Sequence, residues 1–366
     1  MKALKIALRT ILIILLVLIV AVGGYVVYVQ CQYYRINDNQ KLEISNPQTA
    51  LLEKETPYTT VTSNIGFGAY DHEYTFFMDS GIMKDGTEMT GTHGRAESET
   101  AVIRNTENAL TALQNLNADF YLVQEVDTDS TRSFHINQKD TLQNGFKNHS
   151  ANFAENFHSA YLAYPFLDTH GIANAGLLTL SNKNISEAVR RSYPVDNSFF
   201  TKFFDLDRCF SVSRVTVNGG KDLVIINSHM SAYDKGGTIR AAQLKMLNDV
   251  LADEYKKGNY VIVGGDFNHA LGDTVEAFKS EQQVPPWIVK FDEKDLTEGF
   301  TLVTATNDQT VPTCRGCDIP YTKGVNYVSV VDGFIVSDNI SATAENIDED
   351  FVFSDHNPVK LTFSLK

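Results

Sequence analysis

The 366-residue chain has four cysteines, Cys31, Cys209, Cys314 and Cys317, too few for a disulfide scaffold, so an apolar core must carry the fold. Basic charge is also scarce. A net charge of −14 argues against a broad cationic surface that holds nucleic acid by counterion release. It does not exclude an enzyme that touches a few phosphates and takes positive charge from a metal. Cys314 and Cys317 form one CxxC, but no second CxxC or histidine pair stands at zinc-site spacing. A loop disulfide or two idle thiols is the plainer reading. Internal repeats and low-complexity tracts are missing too, which excludes solenoid and fibrous architectures.

What is present begins at the N-terminus. Lys2, Lys5 and Arg9 precede an uncharged apolar run from Ile11 to Val29, just long enough to cross a hydrocarbon core of about 30 Å. This reads as a transmembrane anchor over 10–29. The competing reading is a cleaved signal peptide, but the run exceeds a usual signal core and no small-x-small site closes it. Basic residues ahead of the span predict a cytoplasmic N-terminus and a domain outside the plasma membrane. Residues 30–56 read as a flexible polar linker, and the globular domain is expected over 57–366.

Within that domain, Val102, Ile103, Thr106, Ala109, Leu110, Leu113 and Leu116 share one helical face. The strand "DFYLVQEVD" follows. Ile239, Ala242, Leu247, Val250 and Leu251 predict a second amphipathic helix, followed by the strand "YVIVGG". Further strands are expected at "TVTSNIGF", "AGLLTLS", "FSVSRVTV", "DLVIINSHM", "VVDGFIVS" and "VKLTFSL". Strands outnumber helices and come both in runs and in βα units, which predicts mixed sheets.

Several of these strands end in a residue suited to phosphate or metal chemistry. They are Asn64, Glu125, His229, Asp266 with Asn268, Asp332, and Asp355 with His356. Each alone has a structural explanation: a solvated strand exit for "QEVD", a turn for "GGDFN", a capped bend for "SDHNP", a satisfied core histidine for His229. Their joint occurrence in one domain predicts convergence on a single cleft.

In order and wording, "SNIGFG", "QEVD", "NSHMSAYD", "GGDFN", "VVDGFIVS" and "SDHNPV" resemble the endonuclease/exonuclease/phosphatase superfamily, the DNase I-like metal-dependent phosphohydrolases. The resemblance spans about residues 60–366, and the N-terminal span is similar to that of membrane-anchored bacterial members. It implies an α/β fold, a four-layer α/β sandwich of two mixed β-sheets flanked by helices. It also implies Mg²⁺, with Mn²⁺ as a substitute, held mainly by Glu125 with Asn64 and Asp355. His356 is then the catalytic histidine and Asp332 its orienter. Asp266 and Asn268 position water and phosphate, and His229 donates to a phosphoryl oxygen. Either His356 or Asp266 is the base, with His356 preferred.

Arg95, at the end of the long Phe67–Ser98 segment, and Arg315, in "VPTCRGCDIPY", are candidate phosphate contacts. The expected activity is phosphodiester hydrolysis, on a lipid head group or small diester in preference to nucleic acid, which stays a possible substrate. A catalytically idle binding protein is the remaining alternative. No protein partner is evident.

Overall fold

The computed structural model describes residues 2–199, 201–203, 205–232, 238–291 and 293–366. Tyr233 and Asp234 of the "NSHMSAYD" motif lie outside them. Two large mixed sheets face each other. The first has seven strands in the order Gln40–Lys41, Ile185–Ser192, Cys209–Val215, Leu223–His229, Tyr260–Asp266, Asp332–Ser337, Phe300–Val303. The second has six: Ile340–Asn346, Val359–Leu365, Tyr58–Asn64, Phe120–Asp127, Asn174–Ser181, Ser150–His158.

Alternation along the strands explains the layering. Leu223, Ile225 and Ile262 point inward and meet Phe120, Leu122, Leu361 and Phe363 of the other sheet. The residues between them, Val224, Ile226, Val261 and Val263, point outward and are covered by Leu244, Leu247 and Leu251 of helix α4, Thr238–Lys256. A strand buried on both faces must be apolar at every position, which is why "LVII" and "YVIV" are unbroken runs. On the far side, helices α2 (Glu99–Leu116) and α3 (Gln138–Gly145) pack Ala109, Leu113 and Leu142 on Val61, Tyr121 and Val123. Ser98 caps α2 by accepting a hydrogen bond from the Ala101 N–H at 3.1 Å, and Asn117 closes it in the left-handed region at φ 45°. The expected four-layer order is therefore the observed one.

Two parallel pairs set the position of the cleft. Tyr58–Asn64 runs parallel to Phe120–Asp127 across α2, and Leu223–His229 runs parallel to Tyr260–Asp266 across α4. Parallel crossovers bring strand C-terminal ends to one edge, and open α/β sheets bind ligands there.

Three expectations differ from the structure. Ile103, placed on the apolar face of α2, is exposed. Ala242 is exposed, and the buried face of α4 instead carries Arg240, Gln243, Leu244, Leu247, Leu251 and Glu254. Its polar members serve as ties: Gln243 Oε1 accepts from the Ser231 N–H at 3.0 Å, and Arg240 donates to the Asn268 carbonyl at 2.5 Å. The segment 30–56, read as a flexible linker, is laid along the domain. Gln40 and Lys41 pair with Arg190 and Val189, Ser45 bridges Ala151, and Leu52 is fully buried beside Val217. Backbone pairing needs no apolar pattern, so the polar composition concealed it. The N-terminal helix α1 spans Lys2–Gln32 and is long and apolar enough to cross a membrane.

Gly265 shows how tightly the site edge is built. A Cβ there would lie 1.9 Å from the Ser228 carbonyl oxygen of the neighbouring strand. Gly265→Ala should therefore destabilise the domain by about 3 kcal/mol or more, through forced separation of two core strands. Gly220→Ala, where the nearest atom is 3.4 Å away on an exposed turn, should stay within about 0.5 kcal/mol. Thermal unfolding of both variants checks this, and equal midpoints would contradict it.

Candidate active site

Strand register assembles the first half of the site. His229 is the cross-strand neighbour of Asp266, and Asp266 of Asp332, so three polar residues from three separate motifs stand in one row. Gly265 lets the two strands approach closely enough for that row to form. Beyond it the chain turns at Asn268, φ 51°, whose N–H donates to Asp266 Oδ1 at 2.8 Å. The Asn268 side chain donates to the Met230 carbonyl at 2.9 Å and so ties the turn to the end of the His229 strand.

The six-stranded sheet supplies the second half. Pairing between Phe120–Asp127 and its neighbour slips between Val123 and Val126, and Glu125 in this bulge takes φ 55°. A bulge redirects a side chain that regular alternation would have placed elsewhere. Glu125 Oε1 lies 3.2 Å from Asn64 Nδ2, and that same nitrogen lies 3.2 Å from Asp266 Oδ2. Asn64 thus bridges the two sheets. The C-terminal motif closes the ring: Ser354 Oγ donates to the Asn64 carbonyl at 2.8 Å and accepts from the His356 N–H at 3.1 Å. Gly66 leaves space for Asp355, whose Oδ1 would sit 2.7 Å from a Cβ at that position.

His356 Nδ1 is 2.7 Å from Asp332 Oδ2, while its Nε2 points towards Asp266 Oδ2 at 3.8 Å and Asp355 Oδ2 at 4.0 Å. His229 Nε2 is 3.4 Å from Asp266 Oδ2 and 3.9 Å from Glu125 Oε1. Eight predicted residues, Asn64, Glu125, His229, Asp266, Asn268, Asp332, Asp355 and His356, therefore gather at one locus.

Arg315 joins them at the cavity wall, held by the Asp71 carbonyl at 2.7 Å and Cys317 Sγ at 3.3 Å. Arg95 does not: it is half-exposed, outside the cavity lining, and paired with Asp168 at 2.8 Å. The long segment containing it is packed, with Phe67, Tyr70, Tyr74 and Phe76 in one aromatic cluster around Cys317. Cys314, in the cavity lining, and Cys317, in the aromatic cluster, are buried free thiols, and burial pushes the Cys314 thiol up to about 12.

Burial separates the protonation states of these groups. It pushes Asp266 up to about 6, with Asp332 adding to the shift and His356 opposing it. Asp355 is raised by burial and by Glu125, against His356 and Arg315. Burial is the largest influence on His356 and opposes its charge, but Asp332, Cys314, Asp266 and Asp355 together outweigh it, and the imidazole rises well above its ordinary value. His229 moves the other way. Burial and then Arg208 push it well below 6.5, which leaves a neutral imidazole.

Two groups of residues could hold a cation. Asp266, Asp332 and His356 present ligand atoms within 4.8 Å of one another. The 2.7 Å contact between His356 and Asp332 already uses the imidazole Nδ1, so this trio fits a proton-holding pair better. Glu125 and Asp355 both line the cavity, the Glu125 charge acts on Asp355, and the Asn64 amide lies 3.2 Å from Glu125 Oε1. An oxygen donor set of this kind fits a hard divalent ion.

The cavity above this floor has a volume of about 410 Å³. One wall is apolar: Phe67, Phe76, Phe77, Leu162, Tyr164 and Leu206. Also in the lining is Arg208, 5 % exposed, whose Nε and Nη1 are buried without a hydrogen-bond partner among the described residues. Arg132 also lines the cavity, but Asp127 holds its guanidinium at 2.8 Å and 3.0 Å over the Phe67 ring. Arg208 carries no strand-end signal in the sequence, because it precedes its strand. Cys209–Val215 is antiparallel to Leu223–His229, so the start of one lies beside the end of the other. Antiparallel partners make residues before a strand as relevant as those after it.

A family profile described as the endonuclease/exonuclease/phosphatase family matches residues 61–356. No curated protein matches the chain by sequence. Among solved structures, an endonuclease/exonuclease/phosphatase from Beutenbergia cavernae DSM 12333 superposes with a TM-score of 0.55 at 15% identity, covering 84% of this chain and 72% of that one. A family protein from Leptotrichia buccalis C-1013-b gives 0.53 at 12%, covering 84% and 100%. ANGEL2, described as a 2',3'-cyclic phosphatase in complex with adenosine-2',3'-vanadate, gives 0.53 at 13%, covering 90% and 99%.

The opposed shifts of the two histidines are measurable. In metal-free protein at pH 7, histidine side-chain NMR should find His356 protonated and His229 neutral. Asp332→Asn removes the main charge that raises His356 and leaves the burial that lowers it, so its pKa should fall. A neutral His356 at pH 7 in the unaltered protein would contradict this account.

Proposed function

From the premise that the chain belongs to the endonuclease/exonuclease/phosphatase family, whose members are metal-dependent phosphoesterases and nucleases, we propose a membrane-anchored, Mg²⁺-dependent phosphodiesterase. Mn²⁺ serves in place of Mg²⁺. Its substrate is a lipid head-group diester or a small phosphodiester. The anchor is α1 in the plasma membrane, with its N-terminus in the cytoplasm and the domain outside. The observation that carries the substrate reading is the cavity itself: a carboxylate floor suited to a divalent ion, an apolar lining, and a buried arginine whose Nε and Nη1 make no hydrogen bond among the described residues. A single deep pocket in a chain of net charge −14 fits one phosphate with an apolar substituent better than a duplex.

The chain's own residues divide the work as follows. Arg208 and the neutral His229 donate to non-bridging phosphoryl oxygens. Asp266, ionised at neutral pH, takes a proton from the attacking water, and Asn268 fixes its orientation. His356, protonated beside Asp332, gives its Nε2 proton to the leaving ester oxygen as the phosphorus–oxygen bond breaks. Its raised pKa is the reason for giving the base role to Asp266. Glu125, Asp355 and Asn64 would hold the divalent ion, which would supply Lewis-acid chemistry at the phosphoryl group.

EDTA should abolish turnover of a chromogenic phosphodiester and Mg²⁺ restore it, and Glu125→Gln should cost about 100-fold or more. Undiminished activity in excess EDTA would exclude the mechanism. The rate should rise as Asp266 loses its proton and fall at alkaline pH as His356 loses its own. Asp332→Asn, which lowers His356, should move the alkaline limb to lower pH. An unmoved limb would remove His356 from the acid role. With plasmid DNA, RNA and lipid diesters compared side by side, efficient nicking with no lipid turnover would replace this reading by an endonuclease.

A further inference from the structure

We infer that the loop 160–168 is a second membrane contact, which seats the cavity mouth on the bilayer beside the end of α1. The inference rests on the proposed anchoring. Three observations carry it. Tyr25 and Tyr28, near the end of the apolar helix, are tied to this loop: Tyr25 Oη donates to the Tyr161 carbonyl at 3.0 Å and accepts from the Ala163 N–H at 3.1 Å, and Tyr28 Oη accepts from the Tyr161 N–H at 3.2 Å. Tyrosines at the end of an apolar span lie at head-group depth, so the loop is held at that depth as well.

Three residues further on, the loop presents Phe166 and Leu167, 82% and 101% exposed. Adjacent bare apolar side chains of that size are costly in water and gain from entry into an acyl boundary. Between tie and tip, Leu162 and Tyr164 belong to the apolar wall of the cavity. Membrane, loop and active-site pocket are thus continuous along seven residues. The occupant is the acyl boundary of a bilayer, because the loop's one charged residue, Asp168, is a carboxylate paired with Arg95 and the chain is acidic, so attraction to anionic head groups is not what holds it.

The test uses the full chain, with Cys31→Ser removing the one exposed thiol and the other three cysteines buried. Leu167→Cys carries an environment-sensitive fluorophore, and the protein is reconstituted in phosphatidylcholine vesicles. Lys221→Cys, exposed at the opposite end of the Leu223–His229 strand, is the control. The Leu167 label should emit to the blue of the Lys221 label, be quenched by shallow nitroxide lipids, and keep both properties in high salt. A Leu167 label as aqueous as the control would overturn the inference. If the protein fails to float with the vesicles, the anchor reading fails first. A second readout separates docking from catalysis: Phe166→Ser with Leu167→Ser should leave hydrolysis of a water-soluble diester unchanged and lower vesicle-lipid turnover about tenfold. Equal lipid turnover in both forms would also overturn it. Loss of all lipid turnover in the unaltered protein would count against the proposed substrate and leave the depth measurement standing.

Discussion

Four carboxyl groups, Glu125, Asp266, Asp332 and Asp355, are brought to one partly dehydrated floor, and the surrounding structure is organised around their mutual repulsion. Like charges at such spacing cannot all ionise freely in a buried site, so donors must be supplied from several directions. The Asn268 N–H and the Asn64 amide serve Asp266, the His356 imidazole serves Asp332, and Arg315 stands near Asp355. Each donor arrives from a different segment. The site therefore exists only when both sheets are docked.

Below the floor, the docking is fixed by a buried polar network. Gln124 donates to Asn227 Oδ1 at 2.8 Å and to Thr62 Oγ1 at 3.0 Å, and Asn227 donates to the Leu178 carbonyl at 3.2 Å. Apolar faces alone tolerate sliding. Fully satisfied amides between sheets specify one register, and a shift of one residue would turn Asn64 and Glu125 away from Asp266.

Much of this was legible because doubly buried strands must be apolar throughout and then break abruptly at the cleft. The strands ending in His229 and Asp266 and the one starting at Asp332 announced themselves in that way. Ser150–His158 and Ile185–Ser192 did not, since "SANFAENFH" and "ISEAVRRS" carry polar residues into the interior. Arg190 is almost wholly buried, yet the carbonyls of Glu155 and Asp207 satisfy it at 2.7 and 2.8 Å, an arrangement no periodicity records. Arg95 and Arg208 show the same limit at the site. Which arginine faces a cavity depends on whether a carboxylate elsewhere in the chain reaches it first, and Asp168 reaches Arg95.

The pinned segment between α1 and the first long strand has a mechanical meaning. Arg35 is bound to Asp207 at 3.0 Å, Arg191 to Asp38 at 3.0 Å, and the Gln40–Lys41 pairing follows within a few residues. A tether with so little slack cannot pay out like a fishing line. With α1 in a bilayer, the catalytic head would ride at one height and one tilt, and its working range would be a two-dimensional sheet traversed by lateral diffusion. A molecule only a few nanometres above that sheet would have to come down to the enzyme.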